Sequence, residues 1–166
     1  SRDGRTILSS SEDHTLILWD VRTGARLHTL IGHADGVIQC EWLTDKQALS
    51  ISSSTSGSEC KLWDVDSERE IRSFSSPGIM RSITACPDRH TFLTGEQYPN
   101  VVRAWNVESR QESRHFGEPG DDEILCIGCT RDGRLCLTTT VQHEVKVWDI
   151  QQGKLLRRFT QHSGHV

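Results

Sequence analysis

Four tryptophans recur at a near-constant spacing, and this period limits the fold more than any other feature of the chain. Trp19, Trp63, Trp105 and Trp148 lie 44, 42 and 43 residues apart. The segments that contain them are nearly identical: LILWDV, CKLWDV, VRAWNV and VKVWDI. The sequence therefore predicts successive copies of one supersecondary unit, about 43 residues long.

Turn signals keep the same phase as the tryptophans. A polar pair flanked by apolar runs lies 15 to 18 residues before each tryptophan, and the pairs are Asp3-Gly4, Asp45-Lys46, Asp88-Arg89 and Asp132-Gly133. A second polar turn and another short apolar segment follow each tryptophan. This pattern indicates hairpins, and no 3.6-residue periodicity long enough for a helix interrupts it. Each repeat is thus predicted to hold four short antiparallel strands, which makes the fold class all-β.

These motifs resemble those of the WD-repeat family over essentially the whole chain. The dipeptide Trp-Asp occurs three times with Trp105-Asn106 as a near match, and Gly-His occurs at Gly32-His33 and Gly164-His165. The resemblance implies a partial β-propeller of about four blades of four antiparallel strands each. We expect a single WD-repeat region over 1–166, with repeats at approximately 1–33, 34–76, 77–119 and 120–166.

The resemblance also implies a structural role for the repeat residues. In the family, a buried Trp, a Ser or Thr, the His of Gly-His and an Asp before the Trp strand form one network. The positions that match are Asp13, Trp19, Asp20, His33, Trp63, Asp64, Trp105, Trp148, Asp149 and His165. No repeat has the complete set, because Gly57, Pro99 and Gln142 occupy the Asp position in the last three repeats. We expect other polar groups to substitute there, or packing alone to hold those blades.

The phase of the repeat predicts an incomplete ring. The chain opens at the turn between the first and second strands of a blade, and it ends where the next first strand would begin. The first blade is therefore expected to lack its innermost strand, and the blades are expected to form an open arc. We interpret the chain as a fragment of a larger propeller, whose missing blades come from the parent chain or from another chain.

Composition and the motifs that the sequence lacks argue against several classes of function. Lys plus Arg number 19 and Asp plus Glu number 23, which gives a net charge of −4. This charge argues against a nucleic-acid partner, and no apolar run is long enough for a transmembrane helix. Phosphate-loop, GxSxG and HExxH motifs are absent, so we expect a protein that is not an enzyme. Cytoplasmic localisation is expected, with the nucleus as the alternative.

The six cysteines favour a reduced core over a metal or disulfide framework. Most of them lie within apolar, strand-like segments, where free Cys behaves as a small hydrophobe. Cys126 and Cys129 form a CxxC, but no second CxxC accompanies it, and residues i and i+3 of a strand point to opposite faces. No metal site and no cofactor are expected.

Two candidate partner-binding sites stand out from the repeat. The first is Arg22, because Asp13, Trp19, Asp20 and Arg22 resemble the box through which WD-repeat substrate receptors dock on the adaptor of cullin-4-type ubiquitin ligases. The alternative interpretation is that one Arg falls at this position by chance, since the other repeats carry Asp66, Glu108 and Gln151 there.

The second candidate is an acidic loop that contains Asp121, Asp122 and Glu123. The family layout places this loop on the same rim as the 96–100 loop, and its carboxylates could attract a basic peptide. The alternative is a solvated connector. The Ser-rich stretch 50–58 is expected to be a flexible rim loop. The function expected from these features is a non-catalytic scaffold for other proteins, within a larger intracellular protein. The alternative function is a substrate receptor of a cullin-RING ligase.

Overall fold

The described part of the chain is all β. The computed structural model of the protein describes residues 1–54, 57–117 and 122–164, which contain fifteen strands arranged in four antiparallel sheets and no helix. No helix that could cross a membrane occurs among these residues. The predicted fold class is confirmed, and the chain divides into two compact units, Ser1–Pro77 and Gly78–Val166.

The first unit holds a three-stranded and a four-stranded sheet. The first sheet has the order β1-β2-β3, and the second has the order β4-β5-β6-β7. Within each sheet every connection is a hairpin between neighbouring strands, and the first sheet lacks the inner strand that its neighbour has, as predicted. The strands are β1 (Thr6–Ser10), β2 (Thr15–Asp20), β3 (Arg26–Ile31), β4 (Val37–Trp42), β5 (Gln47–Ser54), β6 (Gly57–Asp64) and β7 (Arg69–Ser76).

The second unit holds two four-stranded sheets with the same meander connection. One has the order β8-β9-β10-β11, and the other has the order β12-β13-β14-β15. The strands are β8 (Ile79–Ala85), β9 (Thr91–Gln97), β10 (Val101–Asn106), β11 (Glu112–Phe116), β12 (Ile124–Cys129), β13 (Leu135–Thr140), β14 (Val145–Asp149) and β15 (Lys154–Phe159). The predicted open arc concerns how all four sheets are arranged around an axis, and it stays a prediction.

The sheets repeat one another even in their irregularities. A register shift interrupts the pairing with the outermost strand of every sheet immediately before the tryptophan, as between Leu62 and Trp63. The innermost strand of each complete sheet carries a second shift near its start. Because bulges increase the local twist of a strand pair, their recurrence gives the sheets a common twist.

Apolar packing joins the two sheets within each unit. In the first unit, Leu16 and Leu30 from the first sheet form one buried cluster with Ala48 and Trp63 from the second. In the second unit, residues of the third sheet such as Leu93 and Val102 cluster with Ile127 and Trp148 of the fourth. Both faces of an inner strand can therefore be buried, which explains why its sequence does not alternate cleanly between apolar and polar residues.

The prediction of a flexible loop over 50–58 is wrong for the described residues. Strand β5 continues to Ser54 and strand β6 begins at Gly57, so most of these serines lie in paired strands. Ser50, Ser52 and Ser58 are buried. Serine is a frequent turn residue, but it is also small enough to fit beside a buried tryptophan and accept its indole hydrogen bond.

Candidate protein-interaction surface

Each repeat tryptophan is fixed by the same hydrogen bond. Its indole N–H donates to a Ser or Thr hydroxyl on the neighbouring inner strand, and this bond satisfies a polar group that would otherwise be buried without a partner. The bonds are Trp19 to Ser9 (2.9 Å), Trp63 to Ser50 (2.8 Å), Trp105 to Thr94 (2.9 Å) and Trp148 to Thr138 (3.0 Å). This part of the expected network occurs in all four repeats.

The residue after each tryptophan closes a turn. One side-chain oxygen of Asp20, Asp64, Asn106 or Asp149 accepts the backbone N–H three residues later, at distances of 2.7 or 2.8 Å. Asn106 replaces Asp without loss of this hydrogen bond, because its amide oxygen can accept it. Hydrogen bonds from Thr23 hold the pKa of Asp20 below its usual value, and bonds from Ser67 do the same for the pKa of Asp64.

In the second repeat the network extends to His33. Its Nε2 and the hydroxyl of Ser50 are hydrogen bonded at 2.6 Å, and its ring lies against Trp63. Gly57 supplies no carboxylate, and Nδ1 of His33 lies 3.9 Å from Glu59, with no hydrogen-bond partner among the described residues. Burial, with a smaller effect from the charge of Lys61, lowers the pKa of His33 to about 4. His33 is therefore a neutral structural residue at physiological pH.

In the third repeat, Glu96 replaces the missing histidine. Thr94 accepts the indole bond of Trp105 and donates its own hydroxyl to Glu96 Oε1 at 3.0 Å. Gly78 makes room for this carboxylate, because a Cβ at that position would come within 2.7 Å of Glu96 Oε2. Sequence reasoning did not find this substitution, although the Thr-x-Glu spacing on one strand face was a signal for it.

A cation two residues before the tryptophan is a second feature that sequence reasoning missed. Arg103 donates from Nε to the fully buried Glu96 at 2.8 Å and also pairs with Glu112. Lys61 pairs in the same way with Glu59 (3.1 Å) and Glu70 (2.7 Å). Burial alone would lower the pKa of Lys61, but hydrogen bonds to Glu70 and Glu59 raise it. The third member is Lys146, beside Glu144. The first repeat has Ile17 at this position.

The matching Asp of the first repeat does not join the tryptophan network. Asp13 lies in the β1–β2 turn, where its carboxylate accepts both the backbone N–H and the hydroxyl of Thr15. These bonds lower the pKa of Asp13. Asp13 therefore closes its own turn, and the indole N–H of Trp19 donates to Ser9. His165 lies outside the described residues.

Arg22 is presented to solvent on a rigid turn. It follows β2 in the tight connection to β3, and its side chain is exposed. Asp20 fixes this connection by accepting both the N–H and the hydroxyl of Thr23 at 2.7 Å. The structure thus gives Arg22 a defined position on the surface of the first unit.

The second unit places an aromatic side chain beside the other candidate site. Tyr98 is 75% exposed in the β9–β10 turn and has a φ of 53°. Arg81 on β8 donates to the neighbouring Gln97 at 2.6 Å and lies 3.7 Å from Glu123. Through Arg81, Glu123 is therefore on the same rim as Tyr98. We call the residues Arg81, Gln97, Tyr98, Asp122 and Glu123 the Tyr98 rim.

A cation lies beside a carboxylate within the Tyr98 rim. Arg81 offsets part of the charge of Glu123, and Asp122 is half-buried at the start of the same segment. Asp121, and with it residues 118–120, lies outside the described residues. The described part of the rim offers an aromatic surface, the Arg81–Glu123 ion pair and one further carboxylate, that of Asp122.

The remaining chemistry-bearing side chains do not assemble into a metal centre within the described ranges. No group of three or more His, Cys, Asp or Glu residues there could hold a metal ion. All six cysteines are thiols; Cys126 is exposed, and the other five are buried or half-buried.

One three-stranded and three four-stranded meanders, each with an indole bonded to the neighbouring strand, define a protein built from β-propeller blades. The family model described as "WD domain, G-beta repeat" matches residues 1–20 and 24–64. The matched part of the chain therefore carries the WD-repeat signature, and the chain is similar to WD-repeat proteins. WD repeats serve as scaffolds for protein interactions, and WD-repeat proteins are generally non-catalytic.

The chain is similar to two curated relatives over about half of its length. A WD repeat-containing protein of Schizosaccharomyces pombe is 37% identical over 98 residues, covering 56% of this chain and 26% of the relative. Eukaryotic translation initiation factor 3 subunit I of Lodderomyces elongisporus is 31% identical over 90 residues, covering 53% of this chain and 25% of the relative.

A longer match extends over both compact units. Guanine nucleotide-binding protein subunit beta-2 of Nicotiana tabacum is 28% identical over 163 residues, covering 90% of this chain and 42% of the relative. The chain thus spans less than half the length of each of these relatives.

Proposed function

We propose that this chain is the scaffold part of a larger, non-catalytic intracellular protein, and that it binds a partner at the Tyr98 rim. The observation that carries the proposal is the exposed Tyr98 on a turn fixed between two paired strands. Tyrosine is enriched at protein interfaces because it offers a large contact area and loses little conformational entropy.

The chemistry of the rim indicates the kind of partner. Tyr98 offers an aromatic face to an apolar or cationic side chain. Asp122, and the part of the Glu123 charge that Arg81 leaves unbalanced, favour a basic residue. We therefore propose a peptide segment with an apolar residue next to a Lys or Arg as the partner.

Two labelled peptides of equal length test this proposal. One carries alternating Leu and Arg, and the other carries alternating Leu and Glu. Fluorescence anisotropy should show binding of the basic peptide that weakens as salt rises. Tyr98→Ala and Asp122→Lys should each weaken this binding about tenfold.

A matched control separates a local site from general charge attraction. Glu108 is exposed in the β10–β11 turn, at the opposite end of the same sheet from Tyr98. Glu108→Lys changes the net charge by the same amount as Asp122→Lys and should leave affinity unchanged. Equal binding of both peptides, or equal effects of the two substitutions, would contradict a partner site at the rim.

A second candidate function rests on the exposed position of Arg22. Because Asp20 and Thr23 fix the turn that carries it, Arg22 could present its planar set of donors to an acidic surface. This arrangement supports docking on the adaptor of a cullin-RING ubiquitin ligase. Direct binding to the purified adaptor should then be lost in Arg22→Ala and retained in Arg26→Ala, a nearby exposed control. Absence of binding by the unaltered chain would exclude this function.

A further inference from the structure

Two thiols of the second unit face each other across neighbouring sheets. The Sγ atom of Cys129, at the end of β12, lies 3.7 Å from the Sγ atom of Cys86, directly after β8. A disulfide needs its sulfurs about 2 Å apart, so a small side-chain movement would close the bond. We propose that Cys86 and Cys129 form a redox modification site, in which a peroxide converts the two thiols into a reversible disulfide between the third and fourth sheets.

The surroundings favour this pair over the other cysteines of the unit. Cys126 lies on the same strand as Cys129, but its sulfur lies against the hydroxyl of Ser82, at 4.0 Å. Cys136 is fully buried on β13, within the apolar cluster. Cys129 is half-buried at the edge of that cluster, beside the exposed Thr130. A small oxidant can therefore reach Cys129 while its partner is already in contact.

The environment also decides which sulfur reacts first. The hydrogen bond with Cys129 and then burial hold the pKa of Cys86 well above its usual value. Cys86 consequently keeps its proton, whereas Cys129 is the more exposed of the two sulfurs and the first that an oxidant reaches. Because the thiolate is the reactive form of cysteine, Cys129 is the attacking group and Cys86 is the resolving thiol.

Two steps complete the reaction with hydrogen peroxide as the oxidant. The Cys129 thiolate attacks one peroxide oxygen, the O–O bond breaks, and the products are a sulfenic acid and hydroxide. The Cys86 sulfur then attacks the Cys129 sulfur, the S–O bond breaks, and water leaves with the Cys86 proton. Two thiols and one peroxide thus give one disulfide and two waters, and a dithiol reductant reverses the result.

The disulfide would act on stability without covering the proposed partner surface. It would add a covalent link to the apolar packing, the hydrogen bond and the ion pair that already join the two sheets, and it would close a loop whose ends are 43 positions apart. Cys86 lies at the opposite end of its sheet from Tyr98. This inference therefore does not depend on the proposed function.

Peptide mapping of the oxidised protein tests the proposal. The protein is treated with hydrogen peroxide, free thiols are blocked with N-ethylmaleimide, and the digest is analysed by mass spectrometry with and without reductant. We expect one reductant-sensitive peptide pair joining Cys86 to Cys129, lighter by two hydrogens than the separate peptides. The melting temperature of the oxidised protein should rise by about 5 °C or more.

Single substitutions test which cysteines take part in the disulfide. Cys126→Ser is the matched control on the same strand and should leave the linked pair unchanged. Cys129→Ser should abolish the link and leave Cys86 as an unmodified thiol. Linkage of Cys86 to Cys126, or over-oxidised Cys129 beside an unreacted Cys86 in the unaltered protein, would overturn the proposal, and neither result requires a variant to fold.

Discussion

At the scale of single residues, one turn position has the same backbone conformation in every repeat, although its amino acid differs between repeats. The fifth residue after every repeat tryptophan has a positive φ: Gly24 (69°), Glu68 (58°), Arg110 (60°) and Gly153 (66°). The turn between the last two strands of each sheet therefore needs a left-handed residue, whatever its side chain. Glycine meets this requirement without strain, whereas Glu and Arg adopt it at a cost.

Gly24→Ala should destabilise the protein by about 1 kcal/mol. A Cβ at Gly24 would meet no atom within 4 Å, so backbone strain is the whole effect. Gly128→Ala is the control, because that position is equally open and has an ordinary φ. It should stabilise by about 0.5 kcal/mol, through the lower entropy of the unfolded chain. Urea unfolding measures both changes, and equal effects of the two substitutions would refute the strain argument.

His33 should make stability depend on pH between about 6.5 and 4. Its pKa falls from 6.5 to about 4 in the folded protein because burial disfavours the charged ring. The unfolded chain therefore binds the extra proton first, and stability is lost as the pH falls through this window, by about 3 kcal/mol in total. The surrounding charges are Asp35, Glu59, Lys61 and Glu70.

Urea unfolding at a series of pH values measures this loss. His33→Gln should remove the pH dependence between pH 6.5 and about 5, because the substituted side chain does not titrate. The exposed aspartates with lowered pKa, such as Asp13 and Asp20, begin to contribute only below about pH 5, since their usual value is 3.8. An unchanged slope in His33→Gln between pH 6.5 and about 5 would show that another group is responsible.

At the scale of the element, the sheets hold the same tryptophan in place with different sets of polar residues. The tryptophan bond to Ser or Thr is constant, but the next residue is His33 in the second sheet and Glu96 in the third. The repeat and its turns were predictable because they depend on short-range spacing. Glu96 was not, because its role depends on Arg103 of the adjacent strand and on the space beside Gly78.

The Ser-rich segment also shows that contacts with another strand cannot be predicted from local sequence. Residues 50–54 and 57–58 look like a loop by composition, but cross-strand pairing places them within β5 and β6. Ser50 is needed there by Trp63, which is 13 residues away in sequence. Local propensity therefore failed where a partner on another strand decides the structure.

Arg103→Met should be much more destabilising than Lys61→Met. Removing Arg103 leaves the carboxylate of Glu96, which is 0% exposed, without its cation, and this should cost about 3 kcal/mol or more. Removing Lys61 leaves Glu59 and Glu70, which are 32% and 36% exposed and can be hydrated, so we expect about 1 kcal/mol. Chemical denaturation measures the free energy of unfolding of each variant.

A double variant checks the cause of this difference. Adding Glu96→Gln to Arg103→Met removes the unpaired charge and should recover part of the lost free energy of unfolding. Equal costs for the two single variants, or no recovery in the double variant, would mean that packing rather than charge dominates at Arg103.

At the scale of the whole molecule, the repeat makes the chain a scaffold: rigid sheets carry short turns on which Arg22 and Tyr98 are exposed. The repeat pattern was sufficient to predict the WD-repeat signature, the strand order within each sheet and the missing inner strand of the first sheet. It could not locate Tyr98 as the rim's aromatic surface or Arg81 as the partner of Glu123, because both depend on which turns meet at one end of neighbouring sheets.

Hydrogen exchange of the indole N–H groups, followed by NMR, tests the central claim that each sheet is pinned by a tryptophan bonded to the neighbouring strand. Signals of the buried Trp63, Trp105 and Trp148 should exchange slowly, and Thr138→Val should accelerate exchange at Trp148 alone. Exchange of all indoles at the rate of free tryptophan, or a Thr138→Val effect spread equally over the three, would contradict the account.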